Sequence, residues 1–130
     1  MTTFQSLGLE EKFLQAISDL GFESPSEVQE QTIPVLLQQE TDIVSLAQTG
    51  TGKTAAFGMP IIQLTDNKSK YIECVILCPT RELCLQISKD LNSYSEYMKN
   101  YKVLPIYGGS KIETQIKGLK KFPKIVVCTP

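Results

Sequence analysis

Apolar residues recur along this chain at two periods, and the two periods alternate. Phe13, Leu14, Ile17 and Leu20 fall at helical spacing, and Gly21 follows as a natural C-terminal stop. Ser24-Pro25-Ser26-Glu27 then predicts a helix start, with Ser24 as the cap, Pro25 in the first turn and Glu27 completing a capping box. Val28, Ile33, Leu36 and Leu37 give this helix its apolar contacts, and Pro34 is expected to bend or interrupt it. Residues 42–47 predict a short buried strand that runs straight into a glycine-rich stretch. A helix begins near Lys53 and carries Ala55, Ala56, Phe57, Ile61 and Ile62 inward. Residues 71–78 predict a second strand. Leu83, Ile87 and Leu91, four apart, predict a helix from about Thr80. Residues 103–107 predict a third strand despite Pro105. Ser110-Lys111-Ile112-Glu113 is a second capping box, opening a helix with Ile116 and Leu119, and residues 124–128 predict a fourth strand.

Strand and helix in regular alternation predict an α/β fold, a parallel sheet with helices on both faces. Such sheets bind ligands beyond the carboxyl ends of their strands. The chemically interesting loops, residues 48–53, 79–82, 108–110 and 129–130, all fall there. A chain of 130 residues suits one domain, and 42% hydrophobic with 21% charged content suits a globular one. No apolar run approaches the roughly 20 residues that span a bilayer. Met1-Thr2-Thr3-Phe4 lacks the basic-then-apolar pattern of a secretory signal, so a cytoplasmic protein without membrane contact is expected. Cys74, Cys78, Cys84 and Cys128 carry no short-spaced metal pattern and are expected to be buried, reduced thiols. There is no histidine, which excludes acid–base schemes built on imidazole.

Charge changes the picture in one respect. Residues 1–66 hold two lysines against nine acids, a net −7, whereas residues 67–130 hold eleven cations against five acids, a net +6. An acidic front and a basic back fit a domain that meets a polyanion on one side. Two ordinary solvated faces fit equally well.

Ala47-Gln48-Thr49-Gly50-Thr51-Gly52-Lys53-Thr54 is the Walker A pattern with Ala in the first glycine position. Glycines at 50 and 52 let the backbone curl so that N–H groups point at phosphate oxygens, and the following helix adds its positive end. Lys53 can reach the β- and γ-phosphates and the Thr54 hydroxyl can ligate Mg²⁺, which makes them the catalytic candidates of a nucleoside triphosphate site.

The flanks of that loop resemble one family. Gly21-Phe22-Glu23-Ser24-Pro25-Ser26-Glu27-Val28-Gln29, with Phe4 upstream, is similar to the Q motif of DEAD-box RNA helicases, here spanning 4–30. The resemblance implies a RecA-like P-loop NTPase domain with ATP as its nucleotide, Phe22 stacked on adenine and Gln29 hydrogen-bonded to the adenine edge. Pro79-Thr80-Arg81-Glu82-Leu83 resembles motif Ia of the family, Gly108-Gly109 its GG motif, and Thr129-Pro130 the start of its T-P-G-R motif. By that resemblance Thr80, Arg81, the Gly109 N–H and Thr129 hold single-stranded RNA, or one strand of a duplex, by its phosphate backbone.

The D-E-A-D box, the S-A-T motif and a second RecA-like domain do not occur in these 130 residues. The resemblance therefore implies a longer native chain that supplies them in cis, and a segment that alone binds nucleotide without turning it over. In RecA-like helicase domains those absent strands lie beside the phosphate-loop strand. A gap next to residues 42–47 is thus expected, to be met either by edge-to-edge self-association of the segment or by a rearranged sheet. Two other readings remain open on the residues alone: another P-loop ATPase, and a non-catalytic nucleotide- or RNA-binding module.

Overall fold

The computed structural model describes residues 1–48 and 50–130. A 3-10 turn, Gln5–Leu7, precedes α1 (Glu11–Asp19), α2 (Glu27–Gln38), α3 (Lys53–Leu64), β1 (Cys74–Leu77), α4 (Arg81–Tyr94), β2 (Val103–Ile106), α5 (Ile112–Leu119) and β3 (Ile125–Cys128). The strands are parallel in the order β1-β3-β2, which makes the last strand the central one. Its Ile-Val-Val run is buried on both faces, as a central parallel strand must be. Register aligns Cys74 and Val103 with Ile125 at one end, and Leu77 and Ile106 with Cys128 at the other.

Alternation along the strands divides the sheet into two faces. Val103, Ile125 and Val127 belong to the main core, which Ile87 and Leu91 of α4, Met59 and Ile62 of α3, and Phe13 and Ile33 of α1 and α2 complete. Helices α3 and α4 approach so closely that a Cβ on Gly58 would lie 2.5 Å from Leu91 Cδ2. On the opposite face α5 covers β2, where a Cβ on Gly118 would lie 2.6 Å from Leu104. Over β1 that face is open, leaving Val75 and Leu77 60% and 70% exposed.

Residues 42–47 form no strand. A strand is held by ladder bonds, and among the described residues none pairs with this segment. Its apolar side chains therefore stand in solvent, Val44 at 90% and Leu46 at 94% exposure. The predicted strand at 71–78 contracts to Cys74–Leu77, with Tyr71 and Ile72 exposed. Pro105 is accommodated because β2 is an edge strand.

Helix starts and stops differ in detail. The cap of α2 is Ser26 and not Ser24, with Gln29 at the third helical position. Pro34 does not interrupt α2, which runs on to Gln38, since the carbonyl it orphans is that of exposed Glu30, where water can serve it. Helix α5 starts from Lys111 without a side-chain cap, so the box at Ser110 is not made. Gly21 does terminate α1, at φ 80°, while Leu20 points outward at 45% exposure.

All four cysteines are free. Cys78 and Cys84 are buried, whereas Cys74 and Cys128, expected inside, are half-buried because they sit near the ends of their strands. Burial raises the Cys74 and Cys84 thiols above their usual range and keeps them protonated and inert at neutral pH. No helix among the described residues is long and apolar enough to cross a membrane.

The tight α3–α4 crossing gives a direct test. Leu91 is fully buried and cannot yield, so Gly58→Ala should cost about 1–3 kcal/mol of stability, read as a lowered urea midpoint with an unchanged slope.

Candidate functional site

The glycine loop meets α3 through two left-handed residues, Gly50 at φ 80° and Gly52 at φ 85°. Gly52 is the N-cap of α3 and has no side chain with which to satisfy the first-turn N–H groups. Those donors and the positive end of the helix dipole are what an anion needs. Thr51 Oγ1 donates to the Gln48 carbonyl at 2.7 Å and stiffens the loop from within. Lys53 Nζ donates to the Ala47 carbonyl at 2.8 Å. That partner is neutral, and among the described residues the two ion pairs both belong to Lys12, so the Lys53 charge is uncompensated. Thr54 is half-buried in the first turn of α3. Thr49 lies outside the described residues.

Gln29 ties this loop to the start of α2. Its Oε1 accepts from the Ser26 N–H at 2.9 Å, one half of a capping box. Its Nε2 donates to the Gly52 carbonyl at 3.2 Å. The reciprocal contact from the Gln29 N–H to Ser26 Oγ has the box arrangement but falls short of hydrogen-bond geometry, which leaves that hydroxyl buried and unpartnered. A Cβ on Gly52 would lie 2.3 Å from Gln29 Nε2 and 3.4 Å from Ser26 Oγ. Glycine at 52 is therefore required twice, for its backbone angle and for the space the amide occupies.

A cleft of about 540 Å³ opens beside this junction, lined by Ser26, Val28, Gln31, Ala47, Gln48 and Thr51 among others. It is large enough for a nucleotide. Phe22 does not line it. Its ring is half-buried and meets Phe4 edge-on, with centroids 6.2 Å apart. Phe4, 5% exposed, thus positions Phe22 from beneath.

The second set of loops converges at the carboxyl ends of the strands. Thr80 caps α4, its Oγ1 accepting from the Leu83 N–H at 3.1 Å, so the hydroxyl's first task is structural. Arg81 opens α4 and lies over the turn after β2: a Cβ on Gly109 would lie 2.8 Å from its Nη1, and one on Gly108 3.6 Å from its Nη2. Gly109 has φ 93°, a conformation that L side chains rarely adopt. The Thr129 N–H donates to the Ile106 carbonyl and brings the end of β3 alongside the same turn. Arg81, Gly109 and Thr129 are thereby gathered, and Arg81 remains exposed.

The sequence places Ser26 in the stretch similar to the Q motif and Ala47 and Gln48 in the glycine loop. It does not reveal the roles of the Ser26 N–H and the two loop carbonyls as hydrogen-bonding groups that build the site. Ser26-x-x-Gln29 satisfies the capping-box pattern as well as Ser24-x-x-Glu27 does, so a signal existed. The choice between them is made by the contact of Gln29 with Gly52, which is 23 residues away.

The sequence profile described as DEAD/DEAH box helicase matches residues 26–130. The DEAD-box ATP-dependent RNA helicase CshA of Geobacillus kaustophilus is 48% identical over 130 residues, the whole of this chain and 27% of the relative. A crystal structure of a DEAD box protein from Methanococcus jannaschii superposes with TM-score 0.90 at 44% identity, covering all of this chain and 35% of that one. The DEAD-box helicase Mss116, in a structure bound to ssRNA and UDP-BeF, gives TM-score 0.89 at 32% identity, covering all of this chain and 28% of that one. The chain spans about a quarter of the length of the curated relatives it matches.

Removing the Gln29 amide strands the Ser26 N–H and the Gly52 carbonyl together. Gln29→Ala should cost about 2 kcal/mol of stability in nucleotide-free protein, measured by urea denaturation, whereas a Gln29 acting only on a ligand would leave the midpoint unmoved.

Proposed function

The chain belongs to the DEAD/DEAH box helicase family, and on that premise we propose that it forms the ATP-binding part of an RNA helicase. The observation that carries the reading is the Gln29 amide seated on Gly52, because it welds the segment suited to reading a base to the loop suited to holding its phosphates. The uncapped start of α3, the uncompensated Lys53 and the Thr54 hydroxyl suit the phosphates of ATP and their Mg²⁺. When bound, that ion neutralises phosphate charge and orients the γ-phosphate. Residues 47–54 supply the backbone donors. Phe22 supplies an aromatic face, and Gln29 supplies the second Nε2–H and second Oε1 lone pair that its bonds to Gly52 and Ser26 leave over, a pair that matches adenine.

RNA is proposed to run along the carboxyl ends of the strands, held by Thr80, Arg81, the Gly109 N–H and Thr129. A guanidinium fixed over a glycine turn presents its remaining donors to phosphate in a set geometry, and contacts confined to backbone carry little sequence preference. Coupling of ATP hydrolysis to duplex unwinding is proposed for the full-length protein in the cytoplasm, with further parts of the first domain and a second RecA-like domain acting in cis. The unpaired edge of β1 and exposed Val75 and Leu77 support self-association of the 130 residues in isolation.

Two experiments test the reading in the full-length protein. Lys53→Ala should lower RNA-stimulated ATP turnover by at least about 100-fold, and unchanged turnover would favour a non-catalytic binding module. Arg81→Ala should weaken RNA roughly ten-fold, evenly across sequences, with ATP affinity preserved. A loss confined to certain sequences would refute backbone-only contact.

A further inference from the structure

The basic half of the chain is not spent on the site described above. Of the ten lysines in residues 67–130, six line one cleft: Lys68, Lys70, Lys99, Lys102, Lys121 and Lys124. No acidic residue lines it, and among the described residues none of the six has a carboxylate within 4 Å. The cleft has a volume of about 480 Å³, ample for a nucleotide unit. Its place in the fold is fixed by topology. Lys102 immediately precedes β2 and Lys124 immediately precedes β3, so the cleft lies at the amino ends of the parallel strands. The glycine loop, Arg81 and Gly109 lie at the opposite ends.

The walls of this cleft are built rather than incidental. Lys124 is only 6% exposed, and its ammonium donates to Asn67 Oδ1 at 2.7 Å and to the Ser69 carbonyl, which pins the loop at 67–70 over the sheet. Both partners are neutral, so this buried cation is solvated without being neutralised. The Lys102 ammonium donates to the Lys121 carbonyl at 3.4 Å, joining the other two walls. Phe122 then presents an aromatic ring to the cleft. It holds φ 57°, a left-handed angle just past the end of α5 where glycine is the usual residue, and the residue is 55% exposed with Lys70 Nζ 5.7 Å from the ring centroid. A side chain kept in an unfavourable backbone conformation with its ring in water is a pointer to function.

Six clustered cations repel one another unless a polyanion compensates them. Lysines that track phosphates, interleaved with an aromatic platform for a base, form the general design of a single-strand binding groove. From this geometry we infer that the cleft at the amino ends of the strands is a second RNA-backbone site. It takes a segment of single strand beyond the one held at the carboxyl ends, with Phe122 stacking one base. It rests on the RNA-binding reading only in the choice of RNA as the polyanion.

The test uses the full-length protein and two oligouridylates, a short one that fills only the first track and a long one that extends past the sheet edge. Lys99→Gln with Lys121→Gln should weaken the long RNA roughly ten-fold at low salt and reduce the slope of log Kd against log salt by roughly 0.7 per lysine. Binding of the short RNA, and the ATP turnover it stimulates, should not change. Phe122→Gly suits the left-handed backbone while deleting the ring, and should weaken long RNA but not inorganic polyphosphate. Equal affinity and slope for long RNA in the lysine variant and the parent would overturn the inference. So would a loss seen only with polyglutamate, which would mark an acidic protein partner. Failure of short RNA to stimulate turnover in the parent would instead count against the helicase reading.

Discussion

The Gln29 carboxamide is buried to 2% exposure between a helix start and a glycine loop, and both of its ends are used. The oxygen serves the Ser26 N–H, which α2 would otherwise leave unsatisfied, and the nitrogen serves the Gly52 carbonyl. No side chain can be added at position 52 without displacing this amide. One side chain therefore ties the start of α2 to the start of α3, beside the apolar packing of Ile33 with Met59 and Ile62 in the core. That contact is also the reason a helix near the N-terminus takes part in a site whose signature lies twenty residues later. A polar group in such a place is costly unless fully paired, so the amide and the glycine depend on each other.

The parallel sheet does the remaining sorting. Because all three strands are parallel, every loop that follows a strand emerges at one end and every segment that enters a strand begins at the other. Arg81, Gly109 and Thr129 are far apart in sequence and adjacent in space for that reason alone. The lysines gather by the same rule at the opposite end. Two basic regions of different character result: one arginine clamped over a glycine turn, and a group of lysines around an aromatic ring. The sheet is asymmetric in its covering as well. One face is sealed by α3 and α4, while the other is covered by α5 over β2 and open over β1.

Most of the element order was legible in the sequence because period and capping chemistry are local properties. Helix α4 needed only Leu83, Ile87 and Leu91 at fourfold spacing and a threonine to cap it. The Walker A pattern at 47–54 stands out in the sequence because phosphate chemistry calls for glycines, a lysine and a hydroxyl at fixed spacing. The largest failure has a tertiary cause. Residues 42–47 have the composition of a buried strand and none of its hydrogen bonds, since pairing depends on a neighbour that local sequence cannot supply.

The sequence by itself determined which residues are candidates for chemistry: Lys53 and Thr54 in a Walker A pattern, Gln29 within a stretch that resembles the Q motif, and Arg81 as the sole arginine. Tertiary structure alone decided how they are used. It chose Ser26 over Ser24 as the cap, because only that register lets Gln29 reach Gly52. It turned a diffuse excess of lysine into a single cleft, because parallel strands deliver their first residues to one edge. Side-chain type is written in one dimension, whereas proximity depends on pairing and packing between segments far apart in the chain.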